Sequence, residues 1–387
     1  EWREKAVRWW DQWLKGRDTG ILREPRLDVY LRHSYPPGLT LAEIPGEWRS
    51  EPGWPPADQR EQTYSLTPDH VLSQTAPPKG AHVLKCIPTA GVEAGFWWGE
   101  LAVDQRPLDA QSLVYDTEPL REEVAVLGLP QAVLYATSTA PLANWFVRLE
   151  DVAPDGAVTL VTGGGLSGAQ RDSATDPKPL EPSHVYEFRV PLHFTSWLFP
   201  PGHRIRVAVS NALWPMIWPT PYPLSTTLHL GGRDASRIIL PMVLPVVPRN
   251  AAARPSFSAP EPAPALPGHS TKGDTWPGDF HVERDAQNAS TRVTWGGTER
   301  TTFPWGVEES REKMIYELAD ARPAESTVRG DADFDVHVRD TVLTWRVHLL
   351  LRSDATHFYY QFVRELLKDG VQIRARLWKA EIVREYQ

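Results

Sequence analysis

Cysteine is nearly absent from this chain of 387 residues, since Cys86 is the single one, and no disulfide can form within the chain. No apolar run approaches the roughly 18 residues that a membrane-spanning helix needs, so no membrane contact is predicted. Basic residues are not in excess either. The net charge is −8 at pH 7, which argues against nucleic acid as a partner because phosphate binding needs a clustered basic surface.

Motifs for catalysis and metal binding are missing as well. The nucleophile motif G-x-S-x-G does not occur, and its nearest relative, residues 165–169, lacks the final glycine and precedes no helical pattern, so Ser167 is not predicted to be a nucleophile. The 12 histidines show no metal-ligand spacing, and His193 and His203 are predicted to form hydrogen bonds at strand ends. We therefore predict no metal and no cofactor, although the Asp-rich turn at 151–156 leaves a calcium site open as an alternative.

Tryptophan and proline are abundant, with 17 and 37 residues against 26 glycines, which favours rigid loops and aromatic packing surfaces. Short runs with period-two alternation predict an antiparallel β-sandwich. These runs lie at 27–31, 63–66, 112–115, 132–136, 145–149, 158–162, 185–190 and 238–240. Two long proline-containing stretches between them, 44–56 and 80–99, are predicted to be loops that carry Trp48, Trp54, Phe96, Trp97 and Trp98.

The chain opens with an amphipathic helix over residues 1–15, which Gly16 is predicted to end. Trp2, Ala6, Trp9 and Trp13 form one stripe of this helix. So many rings on a short helix need a large apolar partner surface. The sequence leaves open whether that surface is the core of the adjacent sandwich or a larger domain outside the chain.

The stretch at 193–223 contains the most unusual pattern. It predicts two antiparallel strands, 194–199 and 204–210, joined by the turn at 200–203. Prolines at 215, 219, 221 and 223 then predict a stiff, extended loop, because proline cannot donate to a β-ladder. This loop presents three large rings, Trp214, Trp218 and Tyr222. They must pack either within their own domain or against a neighbour.

The last third of the chain is predicted to form a separate unit. Residues 249–278 are rich in proline and alanine, which indicates a semi-rigid linker. Residues 279–387 predict a smaller antiparallel β-rich domain, including a hairpin over 292–303 that turns at Gly296 and Gly297 and a strand at 371–383. Residues 364–370 are also compatible with a helical turn.

The segment SWLFPPGHRIRVAVSNALWPMIWPTPYP resembles the C-terminal β-domain of serine hydrolases of the X-prolyl dipeptidyl peptidase and cocaine esterase (CocE/NonD) type, and the resemblance covers roughly residues 1–245. It implies a mainly β chain in which an antiparallel, galactose-binding-like jelly roll follows one amphipathic helix. The implied units are 1–22, resembling the end of an α/β-hydrolase domain, 23–248, the jelly roll, the linker 249–278, and 279–387, a β-rich extension like that of some members.

In this family the Ser-Asp-His triad and the oxyanion hole precede the helix that residues 2–15 resemble. The resemblance therefore implies a catalytically silent fragment whose partner is a missing N-terminal α/β-hydrolase domain and, through it, an acyl substrate such as a peptide, ester or amide. Trp214, Trp218, Tyr222, Trp9 and Trp13 are the candidate residues for that interface or the substrate pocket. A cytoplasmic location and a homo-oligomer are further expectations.

Two alternatives remain open. Jelly rolls with exposed tryptophans can bind carbohydrate by stacking, which requires Trp214, Trp218 and Tyr222 to stand coplanar and exposed on one face. The other alternative is a self-contained hydrolase that uses a pair of carboxylates, although no spacing in the sequence nominates such a pair.

Overall fold

The computed structural model describes residues 2–38, 41–92, 103–232, 235–244, 251–252, 270–273 and 279–387. Within these ranges the chain is mainly β, as predicted, with helix α1 at Trp2–Leu14 and the short helix α2 at Arg106–Asp109. The predicted linker at 249–278 falls largely outside the described residues, so the predicted domain boundaries stay predictions.

The polar side of α1 lies against the start of the first strand. Lys5 contacts Glu24 and Asp28 at 3.4 and 3.0 Å, and Arg8 contacts Glu24 at 2.5 Å. These ion pairs are partly exposed, so each contributes about 1 kcal/mol or less. The helix ends at Leu14, and Gly16 beyond it has the positive φ of 63° that glycine tolerates best. No residue of α1 is buried.

Fifteen strands form the first unit in the described part of the chain. They are β1 Leu27–His33, β2 Gly46–Glu51, β3 Arg60–Leu66, β4 Leu72–Ser73, β5 Gly80–Lys85, β6 Leu113–Asp116, β7 Val124–Gly128, β8 Gln131–Ser138, β9 Asn144–Val152, β10 Val158–Ser167, β11 Tyr186–Pro191, β12 Thr195–Phe199, β13 Arg204–Ser210, β14 Ser225–Leu230 and β15 Arg237–Val243. β2 and β5 lie within the stretches 44–56 and 80–99, which the sequence predicts as loops.

Two sheets make a sandwich of these strands. The smaller sheet has the order β10-β9-β13-β6, and the larger one contains the path β2-β1-β12-β7-β15-β8-β14-β5. All pairings are antiparallel except the short one between β1 and β12. The predicted antiparallel sandwich is thereby confirmed.

The turn at 200–203 does not close a hairpin, which corrects the prediction that 194–199 and 204–210 pair with each other. β12 pairs with β7 and β1, whereas β13 pairs with β9 and β6 in the other sheet. Gly202 donates its N–H to the carbonyl of Leu120, and the Leu120 N–H donates to His203, both at 2.8 Å. The turn therefore binds a neighbouring segment as the chain crosses from one sheet to the other.

The core between the sheets is aromatic. Trp145 and Phe188 stack with ring centroids 3.9 Å apart, and Trp197, Phe199 and Tyr115 are fully buried beside them. Each such ring contributes roughly 1.5–3 kcal/mol when it is withdrawn from water. This core holds β9 and β13 rigidly, and the loop that follows β13 starts from this fixed position.

The short strand β16, Ala251–Ala252, pairs with β2 at the edge of the larger sandwich sheet. The remaining eight described strands are mostly long and form one further sheet: β17 Ser270–Gly273, β18 Asp279–Asp285, β19 Ser290–Phe303, β20 Gly306–Ala319, β21 Thr327–Val338, β22 Thr341–Ser353, β23 His357–Lys368 and β24 Val371–Val383. From β19 to β24 each strand pairs antiparallel with the next, while β17 and β18 share the free side of β19.

Gly296 and Gly297 lie within a continuous strand, so the predicted Gly-Gly hairpin is wrong. β19 runs through both residues, and the chain turns only after Phe303. A Cβ at position 296 would stand 2.3 Å from the carbonyl oxygen of Glu312 on β20. Glycine is therefore present because the neighbouring backbone approaches closely, and it does not form a turn. Residues 364–368 likewise extend β23 and form no helical turn.

The pairing register gives this C-terminal sheet two unlike faces. The face that includes Val293, Tyr316, Val328, Leu351 and Tyr360 is rich in apolar side chains. The opposite face carries ladders of alternating charge, such as Arg311, Asp333 and Arg346 across β20, β21 and β22. The apolar face is the one that packs on the sandwich.

Candidate functional site

The proline-rich loop after β13 packs on the C-terminal sheet. Trp214 is 1 % exposed and shares an apolar cluster with Val92, Val293 and Leu318. The backbone N–H of Trp214 donates to the carbonyl of Ala90 at 2.8 Å. Its ring is thus withdrawn from solvent at the boundary between the sandwich and the sheet.

Trp218 makes the second connection. Its indole Nε1 donates to the hydroxyl of Ser353 at 3.0 Å, and its ring lies edge-on to Phe358 with centroids 5.9 Å apart. Ser353 in turn donates to the carbonyl of Ala324, so the acceptor is held by the sheet itself. The loop is therefore bound at two tryptophans four residues apart.

Arg384, just after β24, completes this contact. The buried guanidinium donates to the carbonyl of Pro219 at 2.6 Å and to those of Asp354 and Gln387 at 2.9 and 3.0 Å. Burial lowers the pKa of Arg384 to about 10, because the charged form loses solvation. A fourth backbone oxygen, that of Ala324, accepts from the same guanidinium at 3.3 Å. These four acceptors replace the lost water and hold this residue against the loop.

A further link joins the two units at the segment after β5. Asp320 accepts hydrogen bonds from both the N–H and the hydroxyl of Thr89, at 3.1 and 2.8 Å. The nearby Cys86 thiol has its pKa raised to about 12 by burial, with the charge of Asp320 adding to the effect, so it is not a reactive thiolate at neutral pH.

The tip of the loop remains open to solvent. Ile217 and Tyr222 are each 39 % exposed. Met216 and Ile217 border a cavity of about 290 Å³ whose other lining residues include Phe146, Ser167 and His193. Of the three predicted loop residues, the structure therefore buries Trp214, partly buries Trp218 and exposes Tyr222.

That arrangement contradicts a carbohydrate platform built from Trp214, Trp218 and Tyr222. Stacking on a sugar requires the ring face to be open, and Trp214 has no open face.

Ser167 and His193 border the same cavity, but the geometry there does not suit nucleophilic catalysis. None of the described residues that line the cavity carries a carboxylate, and Ser167 has relaxed extended angles, φ −72° and ψ 129°, at the end of β10. The nucleophile of an α/β-hydrolase sits instead on a strained turn that leads into a helix. Only the short 3₁₀ turn at Gly168–Gln170 follows Ser167.

Trp9 and Trp13 lie side by side on α1, with ring centroids 5.8 Å apart, and are 44 % and 56 % exposed. Four other large apolar side chains of the helix are also more than half exposed: Trp2, Val7, Trp10 and Leu14. In the described part of the chain, nothing buries this stripe. An apolar surface of this kind on a folded protein marks an interaction site.

His203 has a structural partner, as the sequence predicts. The buried Asp151 accepts hydrogen bonds from His203 Nδ1 at 2.7 Å and from Trp197 Nε1 at 3.0 Å. Asp155, in the turn between β9 and β10, accepts from the N–H of Ala157 at 3.0 Å. The carboxylates considered for calcium thus bond to the protein itself.

A buried charge cluster on the outer side of β9 escaped sequence analysis. Arg148 and Arg206 both contact Asp109 of α2, at 2.6 and 2.7 Å, and Arg148 lies 3.0 Å from Glu150. Burial raises the pKa of Glu150 to about 8, although the charge of Arg148 opposes the shift. Charged residues at 148 and 150 alternate with apolar ones along β9. This alternation was the feature of the sequence that could have indicated the cluster.

One group with metal-ligand chemistry lies on the polar face of the C-terminal sheet. Ligand atoms of Glu309, Asp335 and His337 lie within 4.8 Å of one another. Asp335, however, already accepts hydrogen bonds from Arg311 at 2.7 Å and from Thr344 at 2.5 Å. The D-x-H spacing at 335–337 was visible in the sequence, but its partner Glu309 comes from β20 and required the fold.

Comparison with known proteins agrees with the architecture. Residues 19–245 match the family model described as the X-Pro dipeptidyl-peptidase C-terminal non-catalytic domain. A Mycobacterium bovis protein provisionally named a serine esterase is 31 % identical over 274 residues, which cover 62 % of this chain and 41 % of that protein. The cocaine esterase of a Rhodococcus strain is 29 % identical over 231 residues, covering 53 % and 37 %.

Among solved structures, an aminopeptidase from a marine sediment thaumarchaeon aligns with a TM-score of 0.49 and 24 % identity, over 62 % of this chain and 44 % of that one. The chain thus spans less than half the length of each of these three proteins. No helix in the described residues is long and apolar enough to cross a membrane.

Proposed function

Because this chain belongs to the family of X-Pro dipeptidyl-peptidase C-terminal non-catalytic domains, we propose that it packs on and caps an α/β-hydrolase domain of a serine hydrolase and shapes the access of its acyl substrate. The family description supports the non-catalytic role. The relatives named as esterases support ester hydrolysis by the parent enzyme, and the family description supports peptides as an alternative substrate class.

The tryptophan stripe of α1, which no described residue buries, carries this proposal. A tryptophan side chain presents about 150–250 Å² of surface, so covering the exposed half of one ring system removes roughly 100 Å² from water and contributes about 2–3 kcal/mol. Trp9 and Trp13 together therefore supply about 5 kcal/mol to docking. A folded catalytic domain offers a surface large enough to receive them.

The loop after β13 supports the capping role. Trp214 and Trp218 bind it to the C-terminal sheet, which leaves Ile217 and Tyr222 exposed on its outer side. A stiff loop with an apolar tip beside a cavity of about 290 Å³ is suited to closing over an acyl group. In this proposal Tyr222 faces the substrate, and the two tryptophans hold the loop from behind.

Association with the catalytic partner tests the docking surface. We would co-express the chain with the segment encoded upstream of Glu1 in its gene and measure co-elution by size-exclusion chromatography. The double variant Trp9→Asp, Trp13→Asp should lose co-elution but keep its own melting temperature, because both side chains are exposed. Trp305→Asp, at a tryptophan 48 % exposed in the turn between β19 and β20, serves as the matched control and should still co-elute. Unchanged co-elution of the double variant would refute docking through α1.

Activity tests the second half of the proposal. The chain alone should not hydrolyse p-nitrophenyl esters or Xaa-Pro anilides. Turnover that a serine-directed inhibitor abolishes would show that a complete triad exists within these 387 residues, and it would overturn the proposal.

Two further expectations stay predictions. A cytoplasmic location can be checked by cell fractionation, and a homo-oligomer by light scattering on the purified chain.

A further inference from the structure

The apolar face of the C-terminal sheet holds a cavity of about 270 Å³ near its outer edge, where β22, β23 and β24 run side by side. Its walls come from Trp345, Leu366 and Trp378 and from three arginines, Arg364, Arg374 and Arg376. We propose that this cavity binds a small organic carboxylate with a flat apolar body, such as an aryl carboxylate.

The register of β23 and β24 brings the arginines together. Arg364 lies directly opposite Arg376, and Arg374, two residues before Arg376, lies opposite Leu366. Directly opposed like charges destabilise an antiparallel pair, so the folded chain retains an unfavourable contact here. A bound anion would convert that repulsion into attraction.

The described part of the chain supplies no carboxylate to neutralise these three guanidinium groups. None of them forms an ion pair within 4.0 Å with a described acidic residue. Glu365 borders the same cavity, but by register it belongs to the opposite face, where it is paired across the strands with Arg346. The contrast with the polar face is direct, because there the arginines and aspartates alternate and compensate each other.

The tryptophans select an organic anion over an inorganic one. Arg376 stacks over Trp378 at 4.6 Å from the ring centroid, and Trp378 lies 5.5 Å from Phe362. Trp345 pairs with Leu366 across β22 and β23 and contacts the ring of Phe334 at 6.1 Å. A flat apolar body can lie against these rings while its carboxylate accepts paired hydrogen bonds from a guanidinium fork.

Calorimetric titration of the 387-residue chain at low ionic strength tests the site with three probes: benzoate, acetate and benzyl alcohol. Benzoate should bind most tightly, because acetate lacks the ring and benzyl alcohol lacks the charge. Arg364→Gln and Arg376→Gln should each weaken benzoate binding about tenfold or more, since each removes a hydrogen bond between charged partners. Arg329→Gln, at an exposed arginine on the polar face, is the matched control and should bind like the parent chain.

Equal binding of benzoate and benzyl alcohol, or equal binding by the parent chain and Arg364→Gln, would overturn the proposal. So would the absence of any benzoate binding at millimolar concentration.

Thermal unfolding gives an independent readout of the opposed charges. Without ligand and at low salt, Arg364→Gln should unfold about 1–2 °C above the parent chain, because the repulsion is relieved. At one benzoate concentration, the unfolding temperature of the parent chain should rise by more than that of the variant, because the variant binds benzoate more weakly. A variant less stable than the parent in the absence of ligand would show that the arginines do not repel one another, and it would refute the argument from register.

Discussion

Replacing Trp214 with alanine should uncouple the C-terminal sheet from the sandwich. The side chain is 1 % exposed and lies in the apolar cluster that includes Val92 from the sandwich side and Val293 and Leu318 from the sheet. Truncating a fully buried tryptophan to alanine costs about 3–5 kcal/mol, because the free energy of burying the removed apolar atoms is lost and a cavity remains.

Each of the other contacts across this boundary contributes less free energy than the burial of Trp214. The indole of Trp218 donates one hydrogen bond to Ser353, and such a bond contributes about 0.5–1.5 kcal/mol net. Trp218→Phe removes that donor and leaves a ring beside Phe358, so it should cost about 1 kcal/mol. The comparison therefore predicts a difference of at least about 2 kcal/mol between the two variants.

Chemical denaturation followed by far-UV circular dichroism measures this difference. We expect Trp214→Ala to lower the free energy of unfolding by about 3 kcal/mol or more and to separate the transition of the C-terminal sheet from that of the sandwich. Trp305→Ala, at a half-exposed tryptophan, controls for the loss of a ring and should change stability by less than about 1 kcal/mol. If Trp214→Ala were no more destabilising than Trp218→Phe, the assignment of Trp214 as the main contact between the two units would be wrong.

Two further predictions concern the interior. Glu150 has a folded-state pKa of about 8, raised by burial, so its favourable contribution is complete below its ordinary range near 4.5 and is lost as pH rises through 8. The difference in stability between Glu150→Gln and the parent chain should therefore be constant below about pH 4.5 and should shift in favour of the variant as pH rises toward 8, as measured by thermal unfolding across pH; a difference that does not change with pH would contradict the raised pKa. Gly296→Ala should destabilise the C-terminal sheet by about 1–3 kcal/mol, because the new methyl group would stand 2.3 Å from the carbonyl oxygen of Glu312. Gly53→Ala, with no atom within 4 Å of its added Cβ, is the control in the same denaturation assay, and equal effects of the two would refute the close-approach argument.

The sequence predicted the strands whose two sides face different surroundings. Ile205, Val207 and Val209 alternate with more polar residues, and β13 buries those three on the core side. Period two is visible wherever one side of a strand is apolar. The same rule predicted β1, β8 and β9 within three residues of their observed bounds.

The sequence did not predict strands β2 and β5, because their segments show no clear apolar side. GEWRSE is short and largely polar, GAHVLK is short and mixes apolar and polar residues without a regular alternation, and no residue of β5 is buried. Among the described strands, β5 lies at the edge of its sheet and pairs only with β14. The residues at 93–99, where Phe96, Trp97 and Trp98 were noted, lie outside the described part of the chain. An edge strand takes its conformation from its neighbour, and single-sequence periodicity does not record that neighbour.

The candidate site was predictable in its residue types but not in its contacts. Prolines around Trp214 and Trp218 indicated a stiff loop whose rings need a partner surface, yet nothing local specifies that surface. The acceptor Ser353 lies 135 residues away and Arg384 lies 165 residues from Pro219. Contacts at such separation depend on the complete topology of both units.

The contacts that hold the loop after β13 couple the position of its exposed tip to the C-terminal sheet. Trp214, Trp218 and Pro219 all contact that sheet. The sandwich and the C-terminal sheet therefore both determine where Ile217 and Tyr222 of this loop lie. A change in the sheet that shifts Ser353 or Arg384 must move the loop, because the loop's prolines leave few alternative backbone conformations to absorb it. The C-terminal sheet can therefore act on a pocket that it does not itself line, through a rigid loop that belongs to the sandwich.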